Sequence, residues 1–223
     1  MKPRLALVFA FLATAHAVSC ALAADPATTV HPPLSPDATI QFVDANAPEI
    51  SDIRAQGDRA IKRLAFSLVQ EAWAASANDG PVKALAVCHL KNVPQVGKVI
   101  PDMPRIVAYK RTSLKIRDPR NAPDAAEQRA LDRVHRVLGS GELPPELLVQ
   151  RIDQPGSPTE WRVYRPVAAM KQCVGCHGSV NDQSEALRAE LKARYPDDQA
   201  HDYTLGEWRG LIRVTVSDLP AKP

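Results

Sequence analysis

Cys173-Val174-Gly175-Cys176-His177 is the stretch of this sequence whose residue types and spacing carry chemistry. Two thiols three positions apart on a helical turn face the same way, so they can add to two vinyl groups along one edge of a flat macrocycle. The imidazole that follows can then rise beneath a central iron as its proximal ligand. C-x-x-C-H is the attachment signature of c-type haem, and the sequence predicts one covalent haem c held by Cys173, Cys176 and His177. Gly175 is expected to clear space where the ring comes close.

The start of the chain bears on which cysteines remain to do chemistry. Lys2 and Arg4 precede the apolar run Leu5 to Leu12, and Ala21-Leu22-Ala23 has the form of a signal-peptidase site. Residues 1–23 therefore read as a cleaved signal peptide, which predicts a periplasmic protein with no membrane span in its mature chain. Lipidation is the alternative, because Ala17-Val18-Ser19-Cys20 resembles a lipobox with Ala in place of the usual Leu. Cleavage after Ala23 removes Cys20 and leaves three cysteines, an odd number that asks for a task for Cys88. It also takes the net charge from +3 to +1, too balanced for a protein that grips nucleic acid through phosphates.

The C-x-x-C pair has other uses. It forms half of a zinc ribbon, which Cys88 and His89 could complete, but no second C-x-x-C is present and an exported chain is a poor setting for thiolate zinc. A thiol-disulfide oxidoreductase sets its pair just after a strand in a strand–helix–strand unit, which Met170-Lys171-Gln172 does not supply. A structural disulfide is the blandest use. If haem is held, the sixth ligand decides the function: one protein ligand leaves iron open to gases and substrates, whereas two make an electron carrier or a gated sensor. Cys88, His89, Met103, His135, Met170 and His201 are the candidates. Lys83 and Lys91 mark the wet face of their helix, and the opposite direction falls near Leu85 and His89 with Cys88 at its edge, so periodicity prefers His89.

The elements that must position these residues can be read from pattern. Residues 24–48, rich in proline and poor in large apolar groups, read as a disordered leader. Ser51 is the expected N-cap of a long helix to about Ala77, with Ile61, Leu64, Ala65, Leu68, Ala72 and Ala75 on one face. Gly80-Pro81 ends it and starts a second helix to about Lys91. A strand over Arg105 to Arg111 follows, then a helix over Pro123 to Leu138. Strands Leu147 to Ile152 and Trp161 to Val167 flank the turn Asp153 to Pro158. A helix from Glu185 to Tyr195 and a strand from Leu211 to Val216 complete the pattern. Helices first and antiparallel strands later predict an α+β domain over residues 49–218.

Several separated motifs occur in order: Ala86-Val87-Cys88, Arg111-Thr112-Ser113-Leu114-Lys115, Arg117, Asn121-Ala122-Pro123-Asp124, Cys173 to His177, Tyr195-Pro196-Asp197-Asp198, Tyr203, Gly206 and Arg209-Gly210. Together they resemble the PAS-like single-haem c-type cytochrome family, first recognised in cyanobacteria and long catalogued as a domain of unknown function, over about residues 50–217. The resemblance implies a PAS-like antiparallel sheet with helices around a covalent haem, and His/Cys axial ligation. Carried onto this chain, it makes His177 proximal and Cys88 distal, with His89 the alternative one residue away. Asp118 stands where the family usually has Asn.

A thiolate ligand holds down the reduction potential of ferric iron. The expected function is thus a periplasmic monohaem cytochrome for low-potential electron transfer or redox response, working with a redox partner protein. A haem-based redox or gas sensor acting through a separate partner is the alternative. No catalytic constellation is visible, so enzyme activity is not expected. Of the basic run Arg105, Lys110, Arg111, Lys115, Arg117 and Arg120, Arg111 and Arg117 are expected to pair with haem propionates, and most of the others to form a solvated face.

Overall fold

The computed structural model describes residues 34–87 and 103–218. Five strands, β1 (Thr39–Val43), β2 (Ile106–Thr112), β3 (Leu148–Asp153), β4 (Glu160–Ala168) and β5 (Trp208–Ser217), form one sheet in the order β1-β3-β4-β5-β2, every pairing antiparallel. The described helices are α1 (Ser51–Asp79), α2 (Pro81–Val87), α3 (Ala125–Gly139), α4 (Lys171–His177) and α5 (Glu185–Arg194). The α+β mixture expected from the sequence is present. Strand alternation divides the core between two faces. On one, Val149, Val163, Ile212, Val214 and Val216 meet Ile53, Ala60, Ile61 and Leu64 of α1. On the other, Leu148, Tyr164 and Leu211 meet Ala130, Leu131 and Val134 of α3.

Local chemistry sets each helix against the sheet. A Cβ on Gly57 would come within 2.5 Å of Val163 Cγ2, so glycine is what allows α1 to press onto β4. Ser51 is not a capping residue: Ile50 holds that position without a side-chain bond, because a 3₁₀ turn over Pro48–Ile50 runs straight into the helix. Helix α3 is capped more firmly. Asp124 accepts from Glu127 N and Glu127 returns a bond to Asp124 N, a complete capping box. The same two carboxylates anchor an ionic layer between α3 and the sheet. Arg162 pairs with Asp124 at 2.6 Å and with Glu160, while the fully buried Glu127 accepts a hydrogen bond from Lys110 at 2.7 Å and forms an ion pair with Arg213 at 2.9 Å.

The ordered domain begins earlier than residue 49. Strand β1 lies inside the segment read as a disordered leader and pairs in register with β3 from Thr39↔Asp153 to Val43↔Val149. Its hydrogen bonds and the packing of Phe42 against the α3 core supply what its few apolar residues alone could not. Residues 1–33, including the signal-peptide segment and Cys20, lie outside the described residues. No helix among the described residues is long and apolar enough to cross a membrane.

β4 leaves the sheet, β5 enters it and β2 leaves it all at one end, since Thr112 pairs with Leu211 and Ala168 with Trp208. Gly210 makes that end possible, with φ at +149° and a Cβ position only 2.3 Å from the Thr112 carbonyl. The C-x-x-C-H helix α4 hangs from it.

Candidate functional site

Helix α4 follows β4 after only Ala169 and Met170. Ala169 N donates to the Glu207 carbonyl at 2.8 Å and Gly206 N to the Ala169 carbonyl at 2.8 Å, which fixes the exit of the strand. Cys173 N then donates to the Met170 carbonyl at 2.8 Å, and Gly178 N closes the last turn on Val174 O at 2.7 Å. Cys173 and Cys176 are half-buried, and neither is in a disulfide. The pair does follow a strand, unlike the sequence reading, but one in an antiparallel sheet. A Cβ at Gly175 would meet nothing within 4 Å, and at roughly 100° per residue it points to the other side of α4 from the thiols. That side borders a cleft of about 290 Å³ lined by Lys171, Val174, Gly175, Asp182 and Leu205.

His177 ends the helix and is tied down at both its backbone and its ring. Its carbonyl accepts Tyr203 N at 2.9 Å, and the Gly178 carbonyl accepts Asp202 N at 2.9 Å. Asp202 turns the chain there in the left-handed region, φ 59°, which aspartate tolerates. The ring Nδ1 lies 2.7 Å from the Ala200 carbonyl. A carbonyl only accepts, so Nδ1 carries the proton and Nε2 keeps its lone pair for a metal. Burial, and after it the charges of Arg117, Arg209 and Arg111, hold the imidazole pKa well below its ordinary value against the Ala200 bond, so the ring stays neutral. Tyr203 meets the ring edge-on at 6.4 Å.

Arg111 and Arg117, both named from sequence, lie at this end with Arg209, which sequence reasoning had not singled out as a site residue. Arg117 is committed to protein groups, with bonds to Asp198, the Cys176 carbonyl and the Ala200 carbonyl. Arg209 donates to Ser113 Oγ at 2.6 Å and lies over the Tyr203 ring at 4.9 Å. Its Nε is buried with no hydrogen-bond partner, and burial followed by repulsion from Arg111 and Arg117 brings its pKa down to about 10. Lys115 covers the same tyrosine ring at 4.6 Å. The basic run is not mainly a solvated face. Arg105 pairs with Asp52, Lys110 with Glu127 and Arg117 with Asp198, each cation mostly buried, while Arg120 stays at the surface and pairs with Asp118 of its own turn.

The candidates for a sixth ligand separate by place. Met103 is buried in the α1 core, His135 stacks on Trp208 beside α3, and His201 adjoins the Ala200 segment that holds His177. Met170 caps α4 itself. Cys88 and His89 lie outside the described residues. Leu85, three and four positions before them, shares an apolar cluster with Leu187, Leu191 and Tyr195, against which Cys176 packs. The helix that leads to Cys88 is thus docked beside the thiol pair. Among the described residues no group of three or more His, Cys, Asp or Glu could hold a metal ion between them, so a zinc site would have to draw on others.

The donor set suits a c-type haem. Two reduced thiols lie three apart, a neutral imidazole keeps the Nε2 lone pair, and a buried guanidinium nitrogen without a partner sits among further cations. Ala200, Tyr203 and Arg209 complete the arrangement. The Tyr203 and Arg209-Gly210 motifs were visible in the sequence, but a backbone carbonyl such as that of Ala200 leaves no sequence signal.

Among solved structures, the crystal structure of the cyanobacterial heme-protein Tll0287 aligns with 79% of this chain and 99% of its own, at 19% identity and a TM-score of 0.48. No curated protein matches the chain. A family model described as Tll0287-like matches residues 45–217, which takes in β2 to β5 and all of α4. The chain belongs to the Tll0287-like family.

Proposed function

We propose that the protein is an exported monohaem c-type cytochrome with a PAS-like frame, acting in low-potential electron transfer or redox response with a partner protein. The observation that carries the reading is the neutral imidazole of His177, its Nδ1 proton held by the Ala200 carbonyl and its Nε2 left as a donor beside two reduced thiols. When bound, haem would supply a one-electron couple. Cys173 and Cys176 hold it to α4 as thioethers, and His177 offers Nε2 from the same helix. Arg209, with a buried nitrogen in need of an acceptor, and Arg111 next to it offer cations to the propionates; Arg209 thus takes the place given to Arg117 from sequence. Cys88 is the distal ligand in this reading, supported by the docking of α2 beside Cys176.

Absorption and EPR spectra of both oxidation states, taken on protein matured with haem-attachment machinery, test the proposal. It expects six-coordinate low-spin ferric haem with a thiolate-type signature. A high-spin spectrum would sink the ligand pair, and the absence of any haem band would sink the whole reading.

A further inference from the structure

Arg117 and Asp198 together grip one backbone unit. Arg117 Nε donates to Asp198 Oδ2 at 2.9 Å, and its Nη2 donates to the Cys176 carbonyl at 2.6 Å and the Ala200 carbonyl at 3.1 Å. Asp198 Oδ1 accepts Ala200 N at 2.8 Å. The ion pair therefore holds both the N–H and the C=O of Ala200, a residue with no exposed surface. That same carbonyl is the acceptor for His177 Nδ1. The two side chains are only 10% and 14% exposed, so water competes weakly for these bonds.

We propose that Arg117 and Asp198 are positioning residues for His177: they fix the carbonyl that orients its imidazole, and Arg117 draws on that carbonyl and so weakens its hold on the Nδ1 proton. The proposal rests on the reading of His177 as an iron ligand. An acceptor shared with a guanidinium has less electron density to offer the imidazole N–H. The ring then has less imidazolate character and donates less charge through Nε2, which favours the reduced metal. The cation beside the Cys176 carbonyl acts in the same direction. Arg117 is in this view a tuner of the proximal ligand and not an anchor for propionates.

The test uses haem-loaded protein and three variants. Arg117→Gln is expected to lower the reduction potential and shift the ferric EPR g values while one haem per chain is retained. Asp198→Asn loosens the same clamp but deletes a negative charge, and is expected to raise the potential. Arg117→Lys keeps the charge without the planar fork, so most of the potential should return while the g values stay shifted. A clamp with a merely structural role would lower thermal stability in all three and move neither potential nor g values. That outcome, in whichever variants fold, overturns the proposal. A wild-type chain that carries no haem would instead remove the ligand reading beneath it.

Discussion

Residue by residue, the proposed haem site would divide attachment from ligation. Cys173 and Cys176 need only be reduced and on one side of α4, whereas His177 needs a set tautomer, which the Ala200 carbonyl supplies. Replacing one cysteine should therefore leave ligation in place. Cys176→Ala is expected to keep one thioether and a six-coordinate spectrum, with a pyridine haemochrome band moved toward that of a haem with a single free vinyl; complete loss of haem from each single variant would contradict this. Cys88→Ala is expected to change the ferric low-spin spectrum and His89→Ala to leave it intact, and the reverse result would reassign the distal ligand. The sequence pointed to the motif itself because its chemistry is contained in five consecutive residues. It could not show the partners of Arg117, because a guanidinium in a basic run looks the same whether it faces a ligand or a carbonyl a long way along the chain, as it does at Ala200.

Elements position these residues through a few contacts that can be broken one at a time. Helix α4 has seven residues and no side-chain cap, so its place depends on β4 before it and the Ala200–Tyr203 segment after it. β4 in turn is set by α1 pressing on Val163 at Gly57. Gly57→Ala would force a methyl into that contact and is expected to cost about 1–3 kcal/mol of stability in a denaturant titration; an unchanged midpoint would show that α1 shifts freely. Helices α1, α2, α3 and α5 and four of the five strands were readable from pattern and flanking signals, whereas the seven residues of α4 are too few for a periodic run and were legible only as the turn that the thiol spacing asks for. β1 was not, since Thr39-Ile40-Gln41-Phe42-Val43 is short, lies in a proline-rich stretch, and owes its strand conformation to β3, more than a hundred residues away.

For the whole molecule, the sheet has two faces with different work. α1 packs with an apolar face, while α3 covers an ionic layer in which three carboxylates meet three cations. Burial pushes the Asp124 pKa up, but the charge of Arg162, the Glu127 backbone bond and the Arg162 hydrogen bond together hold it below 3.8. Asp58 is likewise lowered, by Lys62 and Arg165 against its burial. A carboxylate whose folded pKa is depressed adds stability that is complete above the unfolded value and is lost as pH falls through the folded one. Thermal melts should therefore stay level from neutral pH down to about 5 and fall below about 4; equal stability at pH 3 and pH 6 would contradict the ionic layer's role. At the other end of the fold, covalent haem on Cys173 and Cys176 is decided by intact-mass spectrometry under denaturing conditions, on chain matured with haem-attachment machinery. The expected mass is that of the mature chain plus one haem, with the haem increment lost when both Cys173 and Cys176 are replaced; a wild-type chain at its unmodified mass would rule out covalent haem.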